Sequence, residues 1–297
     1  MSRSAGGQHG TAAGRIALVT GATDGIGRAT ALGLARLGMR VVVVGRDRGR
    51  GEAVLADIAR EGSGPAADLL LADLASLADV RRLAGEVLGR YQRLDVLINN
   101  AGVLLSRREE TPDGLERMFA VNYLAPFLLT NLLRPLLERS APARVINVTS
   151  LAQRSAKIDF EDLQAARGFR SMRVYGQSKL ADLVFSYELA RRLAGTGVTA
   201  NVFEPGLVAT SMPRRQRGVS GAVMRLLLPV MSSPERAART AIHLASSPDV
   251  AATTGAFLSS KGRPATPSKV ARDQDVAARL WRVSEELTGL VARSSAG

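Results

Sequence analysis

The chain has 297 residues, of which 46% are hydrophobic and only 4% aromatic, so Ala, Val and Leu must fill a core large enough for one α/β domain. It contains no cysteine and two histidines, which excludes disulfides, thiolate metal sites and a cysteine nucleophile, and gives no indication of a zinc centre. The net charge of +13 comes mainly from arginines spread over the whole chain, and aromatic stacking partners are scarce, so we expect no nucleic-acid partner.

Strand and helix patterns alternate from Arg15 onward without a linker or an internal repeat. Runs rich in Val, Leu and Ile indicate buried parallel strands, and apolar residues at helical spacing indicate the helices between them. Pro126 and Pro135 lie inside one of these helices, where we expect a kink or break. In chain order, the pattern predicts strand Arg15–Thr20, helix Gly25–Leu37, strand Arg40–Gly45, helix Arg48–Glu61, strand Ala67–Ala72, helix Ser76–Tyr91, strand Leu94–Asn99, helix Pro112–Arg139, strand Ala143–Thr149, helix Arg173–Leu193, strand Val198–Glu204, helix Pro234–Ala245, strand Ala256–Ser259 and helix Gln274–Leu290.

This order predicts a single α/β domain over residues 15–297, preceded by a small, polar and disordered tail over residues 1–14. The domain is expected to be a Rossmann-type, doubly wound parallel sheet with strand order 3-2-1-4-5-6-7 and helices on both faces. Such a sheet binds its ligand at the carboxyl ends of the strands, between strands 1 and 4. No window reaches the apolar length of a membrane span or a signal peptide, so we expect a cytoplasmic protein.

The first predicted strand runs directly into a glycine-rich segment, TGATDGIG at residues 20–27. Gly21 permits a tight turn, Gly25 removes a side chain where a pyrophosphate approaches, and Gly27 lets the next helix pack closely on the sheet. A plain glycine-rich turn is the alternative, but the strand before it and the helix after it favour a dinucleotide site. The residues expected to contact the cofactor here are Gly21, Thr23, Asp24, Gly25, Ile26 and Gly27.

The end of the second predicted strand distinguishes NAD from NADP. An NAD enzyme usually places an acid there to bind the ribose hydroxyls. This chain has Arg46, which can pair with a 2′-phosphate and stack on adenine, and Arg28 could assist it. Asp47 complicates the interpretation because it could pair with Arg46 or reach the ribose. We expect NADP(H) rather than NAD(H), with an ordinary surface arginine as the alternative reading of Arg46.

Tyr175 and Lys179 form the pattern Y-x-x-x-K, which places both side chains on one helix face. A free phenol has a pKa near 10, which is too high for efficient proton exchange at neutral pH. An ammonium about 4 Å away lowers that pKa by ~3 units before desolvation opposes it. Tyr175 is therefore the candidate acid–base group, and Lys179 can also bind the nicotinamide ribose. A polar helix face without chemistry is the alternative.

Two further polar residues are candidates for the same site. Ser150 stands at the carboxyl end of the fifth strand, where its hydroxyl can orient a substrate oxygen, although the neighbouring Thr149 competes for this role. Asn122 lies in the middle of a predicted helix, where asparagine is unfavourable. Its side chain or a locally opened backbone could hold a water that relays protons from Lys179, and a solvent-facing asparagine is the alternative.

Seven short motifs follow one another in a characteristic order: TGATDGIG (20–27), Asp73-Leu74, NNAG (99–102), Asn122, NVTS (147–150), YGQSK (175–179) and PG (205–206). In order and spacing they resemble the short-chain dehydrogenase/reductase family over nearly the whole chain. Within that family the chain is most similar to the retinol-dehydrogenase-like branch. The similarity rests on the 25-residue gap between Ser150 and Tyr175, on residues 111–130, on SKLAD (178–182) and on RLWRVSEEL (279–287).

The resemblance implies a catalytic tetrad of Asn122, Ser150, Tyr175 and Lys179. It also implies cofactor contacts beyond the glycine loop, at the adenine, along the groove and around the nicotinamide amide. These further contacts are Asp73, Leu74, Asn99, Ala101, Gly102, Pro205, Gly206, Val208 and Thr210. The chain departs from the branch at Pro126 and at Glu204, where histidine is frequent beside the nicotinamide, and retinol is therefore not carried over as the substrate.

The sequence thus predicts an NADP(H)-dependent enzyme that interconverts a carbonyl and an alcohol on an apolar, lipophilic small molecule, with Tyr175 as acid–base. Reduction of an activated C=C bond, as in protochlorophyllide-reductase-like relatives, is one alternative, and a catalytically silent NADP(H)-binding sensor is another. Ser211–Ser233, just beyond the PG turn, is the expected substrate lid. A packing helix or a homo-oligomer contact is the alternative for that segment.

Overall fold

The computed structural model describes residues 12–206, 208 and 232–290. The strands of this part are β1 (Ile16–Thr20), β2 (Arg40–Gly45), β3 (Asp68–Leu71), β4 (Val96–Asn99), β5 (Ala143–Val148), β6 (Val198–Phe203) and β7 (Phe257–Leu258). They form one parallel sheet in the order β3-β2-β1-β4-β5-β6-β7. The predicted fold and strand order are confirmed. Because the strand order reverses between β1 and β4, their carboxyl ends border the crevice where such sheets bind ligands.

Helices cover both faces of the sheet. They are α1 (Gly25–Arg36), α2 (Arg48–Glu61), α3 (Leu77–Arg90), α4 (Arg117–Phe119), α5 (Ala125–Arg139), α6 (Ser171–Arg192), α7 (Pro234–Ser246) and α8 (Gln274–Thr288). Successive strand residues point to opposite faces, which explains the continuous apolar runs in the sequence. In β1, Leu18 packs in a core with α3, α5, α6 and α8, whereas Val19 packs in a second core with α1, α2 and α7.

Aromatic side chains attach α8 to the rest of the domain. Trp281 is buried and meets Phe127 of α5 edge-on, with ring centroids 5.0 Å apart. The guanidinium of Arg192 lies 4.0 Å above the same indole ring. The Tyr123 hydroxyl and the Ser284 hydroxyl form a 2.6 Å hydrogen bond that joins the segment before α5 to α8. The last described helix is therefore part of the core rather than an appendage.

The long helix predicted over Pro112–Arg139 is wrong in its first part. Helix begins only at Arg117, and the turn Ala120–Leu124 is a π-helix that separates α4 from α5. Pro126 has no N–H group, so it cannot donate to the carbonyl of Asn122, four residues earlier. The expected break is therefore present as a widened turn, and it opens the backbone at Asn122.

The other predicted helix and strand boundaries agree with the structure to within two residues. α5 continues through Pro135. Of the predicted tail, the structure describes residues 12–14, where Ala12 is buried and Gly14 N donates to Gly38 O at 3.2 Å, so these three residues belong to the folded domain. Most of the predicted lid, residues 211–231, lies outside the described residues. Among the helices that are described, none combines the length and hydropathy needed to cross a membrane.

Candidate active site

The turn after β1 is shaped by glycines and held by an asparagine. Gly21 has a φ of +64°, and a Cβ on it would lie 2.9 Å from Ala101 Cα. A Cβ on Gly27 would overlap the Gly21 carbonyl oxygen and the Asn100 side chain. The Asn100 amide donates to the Thr20 carbonyl at 2.9 Å and fixes the turn. The turn is thus a close cradle beside the start of α1, which fits the pyrophosphate of a dinucleotide.

The other predicted loop residues surround the first turn of α1. Asp24 is its N-cap, and the carboxylate accepts from Gly25 N at 2.7 Å. The methyl group of Thr23 occupies the space that a Cβ on Gly45, the last residue of β2, would need. Ile26 is partly buried at the start of the helix. The predicted loop residues therefore lie together between β1, β2 and α1.

Arginines follow the end of β2. The Arg46 side chain is about half exposed, with its Nη1 3.8 Å from Asp73 Oδ1. Asp47, which complicated the sequence interpretation, is the N-cap of α2 and accepts from Arg50 N at 3.0 Å. The Arg50 guanidinium turns back to within 3.8 Å of Asp24 Oδ2. Arg50 therefore brings a second half-exposed cation to this edge, and the strand-end pattern gave no signal for it because Arg50 lies in α2.

Asp73 and Leu74 were predicted near the adenine, and Arg28 was expected to assist Arg46 at the 2′-phosphate. Asp73 follows β3, and its Oδ1 accepts from Ala75 N at 3.1 Å, which holds the turn at the sheet edge. Leu74 is buried beneath that turn. Arg28 donates to Asp57 of α2, so its guanidinium is engaged away from the loop.

Asn99 was expected beside the cofactor, but it does not face the groove, and its neighbour Asn100, for which no role was expected, lies at the glycine turn. Asn99 is buried, and its amide donates to Asn147 Oδ1 at 2.8 Å, so the side chain points into the domain interior rather than into the groove. Asn100 holds the glycine turn instead. Ala101 and Gly102 remain partly exposed beside that turn, where they can border a bound cofactor.

Lys179 joins α6 to the end of β5. Its ammonium donates to the Val148 carbonyl at 2.7 Å, and the residue is only 4% exposed. The Thr149 hydroxyl donates to the Lys179 carbonyl at 2.7 Å. Thr149 is therefore occupied by α6, which leaves Ser150 as the hydroxyl that can serve a substrate. Tyr175 lies one turn before Lys179 and is partly exposed.

Ser150 starts the short 3-10 turn Leu151–Ser155, and its Oγ accepts from Ala152 N at 3.3 Å. Accepting that bond leaves the hydroxyl proton for a substrate oxygen. A Cβ on Gly176 would lie 3.0 Å from the Ala152 carbonyl, so this turn packs on α6 next to Tyr175. β5 and α6 thereby bring Ser150 and Tyr175 to the same edge of the sheet.

Asn122 is buried and fully engaged through its side chain. Its Oδ1 accepts from Val103 N at 2.7 Å, while its Nδ2 donates to Val103 O at 2.9 Å and to Ser178 Oγ at 3.0 Å. The Ser178 hydroxyl donates to the Tyr175 carbonyl at 2.8 Å, so Asn122 is linked to the helical turn that bears Tyr175. The alternative of a solvent-facing asparagine is wrong. Because Pro126 cannot donate to it, the main-chain carbonyl of Asn122 is the candidate position for a bound water.

One side of Tyr175 is apolar. A small buried cluster and the partly buried side chains packed against it adjoin its ring. These residues are Met118, Ala165 and Val174, with Val103, Leu104, Leu105 and Phe169 around them. An apolar substrate surface could be desolvated against this wall.

Glu204 forms an ion pair that was not predicted from the sequence, between its buried carboxylate and the exposed side chain of Arg154. Glu204 follows β6 and is 4% exposed, and its Oε1 accepts from Arg154 at 2.8 Å. Burial raises the pKa of Glu204, while Arg154 lowers it. Because Phe203 O accepts from Thr149 N at 3.0 Å, Glu204 lies beside the strand end that leads to Ser150. Arg154 gives no signal in sequence because its partner is 50 residues away.

The residues predicted around the nicotinamide amide are described only in part. Pro205 and Gly206 follow β6, and Gly206 has a φ of +72°. Val208 is buried and pairs with Ser232 through an isolated parallel bridge. Thr210 lies outside the described residues.

Comparisons with known proteins agree with this geometry. A family model described as short chain dehydrogenase matches residues 15–218. The chain is 41% identical to human retinol dehydrogenase 13 over 96% of its length and 87% of that protein. It is 42% identical to mouse polyprenol dehydrogenase over the same shares. Among solved structures, the Pseudomonas aeruginosa RhlG/NADP active-site complex superposes with a TM-score of 0.70 at 33% identity, covering 86% of this chain and 98% of that one.

Proposed function

The chain belongs to the short-chain dehydrogenase family, and on that premise we propose that it is an NADP(H)-dependent oxidoreductase that interconverts a carbonyl and an alcohol on an apolar small molecule. The observation that supports the proposal most strongly is the position of Tyr175. It lies one helical turn from the buried ammonium of Lys179, at the sheet edge where Ser150 follows β5. The glycine turn at Gly21 leads directly into the N-terminus of α1, whose free N–H groups suit the pyrophosphate of a dinucleotide. When bound, the nicotinamide supplies a hydride to the carbonyl carbon or accepts one from the alcohol carbon.

Residues of the chain orient the substrate and transfer the proton. The Ser150 hydroxyl donates to the substrate oxygen and orients it. Tyr175 gives that oxygen a proton during reduction and takes one during oxidation. The positive charge of Lys179 stabilises the phenolate form of Tyr175. A water on the carbonyl that the π turn opens at Asn122 would then connect Lys179 to solvent.

Arg46 and Arg50 support NADP(H) over NAD(H). Arg46 follows β2 and Arg50 lies in the first turn of α2. Both side chains are about half exposed and pair with carboxylates only at 3.7–3.8 Å. Exposed pairs at that distance are weak, so the guanidiniums remain available for a 2′-phosphate. The neighbouring acid, Asp47, uses one carboxylate oxygen to cap α2, which makes that oxygen a weaker partner for a ribose hydroxyl.

The apolar wall beside Tyr175 supports a lipophilic substrate. The names of two relatives, retinol dehydrogenase and polyprenol dehydrogenase, point to long apolar alcohols. We therefore infer that this chain acts on an alcohol or carbonyl whose body is hydrocarbon.

The experiment is a reductase screen with NADPH and NADH side by side, on aldehydes and ketones with alkyl or polyene tails and on an α,β-unsaturated ketone. We expect NADPH oxidation with the aldehydes and ketones, and Tyr175→Phe should lower kcat by about 10²–10⁴-fold with NADPH affinity within a few-fold. Tyr187→Phe is the matched control on the same helix, and it should change kcat less than twofold.

Each other outcome points elsewhere. Saturation of the C=C bond of the unsaturated ketone would replace carbonyl reduction with enone reduction. Tight NADPH binding without turnover on any substrate would indicate a sensor. A Tyr175→Phe variant that retains most of its rate would remove this phenol from the mechanism.

A further inference from the structure

A stripe of polar residues runs along α6 from the site into the core. With 100° per residue, positions 175, 179, 182 and 186 lie within about 60° of one another around the helix axis. Lys179, Asp182 and Ser186 are all buried. The stripe therefore continues below Lys179 to an acid that the proposed mechanism does not use.

Asp182 is an unusual carboxyl group. It is 1% exposed, and among the described residues neither Oδ1 nor Oδ2 has a hydrogen-bond partner. Its helix neighbour Ser186 donates to the Asp182 main-chain carbonyl at 2.7 Å instead. Burial raises the pKa of Asp182 to about 7, against the opposing charge of Lys179. A buried carboxyl without donors costs free energy when ionised, so its retention on the catalytic helix calls for a reason.

Two titratable groups face Asp182 in the described structure. Lys179 lies one turn before it on α6, and Tyr123 lies on the π turn. Burial raises the pKa of Tyr123, so that phenol stays neutral. Charged residues on the other elements packed against α6 interact elsewhere: Arg154 with Glu204, Arg272 with Tyr187, Arg117 with Glu109, Arg279 with Glu161, and Glu285 with Trp281. The charge of Asp182 therefore acts on Lys179.

We propose that Asp182 is a positioning residue for the reaction, which acts through Lys179 and sets the pH range in which Tyr175 exchanges its proton. The inference rests on the proposed function. A carboxylate at this position attracts the Lys179 ammonium and opposes a second negative charge on Tyr175. Tyr175 and Asp182 are seven residues apart, which is roughly 10 Å along the helix. At an effective dielectric of about 20, a negative charge at that separation raises the pH at which a phenol loses its proton by about one unit.

The test is the pH dependence of kcat/KM for alcohol oxidation in Asp182→Asn. In the wild type, the acid limb should be broad because two coupled groups titrate. In Asp182→Asn the limb should be sharper and lie about one pH unit lower, and Asp182→Glu should restore the wild-type profile. Glu188→Gln is the matched control, because Glu188 is a buried carboxylate on the same helix that pairs with Arg191 and Arg192. This variant should keep the wild-type limb.

A uniform loss of rate in Asp182→Asn, with an unchanged limb, would mean a structural role only and would overturn the inference. A second readout needs neither cofactor nor turnover. Carboxyl carbon NMR of the wild type should show one aspartate signal that titrates near pH 7, and if every aspartate titrates below about pH 5 the inference also fails. An inactive wild type would refute the proposed function instead, while the NMR titration would still report on Asp182.

Discussion

Replacing Arg46 with alanine tests the assignment of the cofactor. A charge-assisted hydrogen bond contributes about 1.5–3 kcal/mol. The competing pair between Arg46 and Asp73 spans 3.8 Å with both side chains nearly half exposed, so it contributes at most about 1 kcal/mol. The difference predicts a loss of about 1–2 kcal/mol in NADPH binding, which is a 5–30-fold rise in Kd. NADH lacks the 2′-phosphate, so its Kd should change less than twofold.

The assay is a titration of each cofactor at a fixed ionic strength of about 0.1 M, because salt screens exposed charges. Arg48→Ala is the matched control. Arg48 is an exposed arginine two residues further on, and its ion-pair partner is Glu52 at 3.7 Å. It should leave both Kd values within twofold. If Arg46→Ala weakens NADPH and NADH equally, or weakens NADPH less than twofold, the reasoning about the phosphate is refuted.

Three further predictions concern the fold and its dependence on pH. Gly27→Ala should raise the Kd for NADPH at least 100-fold, because a Cβ there overlaps the Gly21 turn, whereas Gly85→Ala in open space on α3 should bind normally and unfold no more easily. Burial raises the pKa of Asp182 from 3.8 to about 7, so the folded state keeps a proton that the unfolded state loses, and stability falls as the pH rises between those values. In urea titrations, the unfolding free energy of Asp182→Asn relative to wild type should therefore increase by about 2–3 kcal/mol from pH 5 to pH 8, and a constant difference would contradict the buried acid. Trp281→Ala should lower the unfolding free energy by about 3–5 kcal/mol, and a loss below about 1 kcal/mol would show that α8 is not part of the core.

The sheet and the candidate site around Tyr175 could be derived from the sequence because their signals are local. A glycine run after a buried strand and a tyrosine one turn from a lysine each lie within a few residues. The identity of the orienting hydroxyl was more difficult. Thr149 and Ser150 are equivalent in sequence, and the bond from Thr149 to the Lys179 carbonyl, which separates them, joins two different elements.

The features that sequence could not supply depend on contacts between distant segments. Asn99 and Asn100 differ only in the direction their side chains take at the end of a strand, and only the fold shows which one faces the glycine turn. Glu204 meets Arg154 across 50 residues. Pro126 lacks the N–H that would bond to the carbonyl of Asn122, four residues earlier, and so predicts a break in the helix. It does not predict that the break takes the form of a π turn.

The hydrogen bond between Tyr123 and Ser284 has a mechanical consequence. Tyr123 is the chain neighbour of Asn122, and its hydroxyl is anchored 2.6 Å from a serine on α8. If α8 loosens, Tyr123 loses this hydrogen bond, and the adjacent Asn122, which would bind the relay water, is held less firmly. Damage remote from the reacting atoms, such as Ser284→Ala, should therefore slow proton exchange with the solvent before it unfolds the domain.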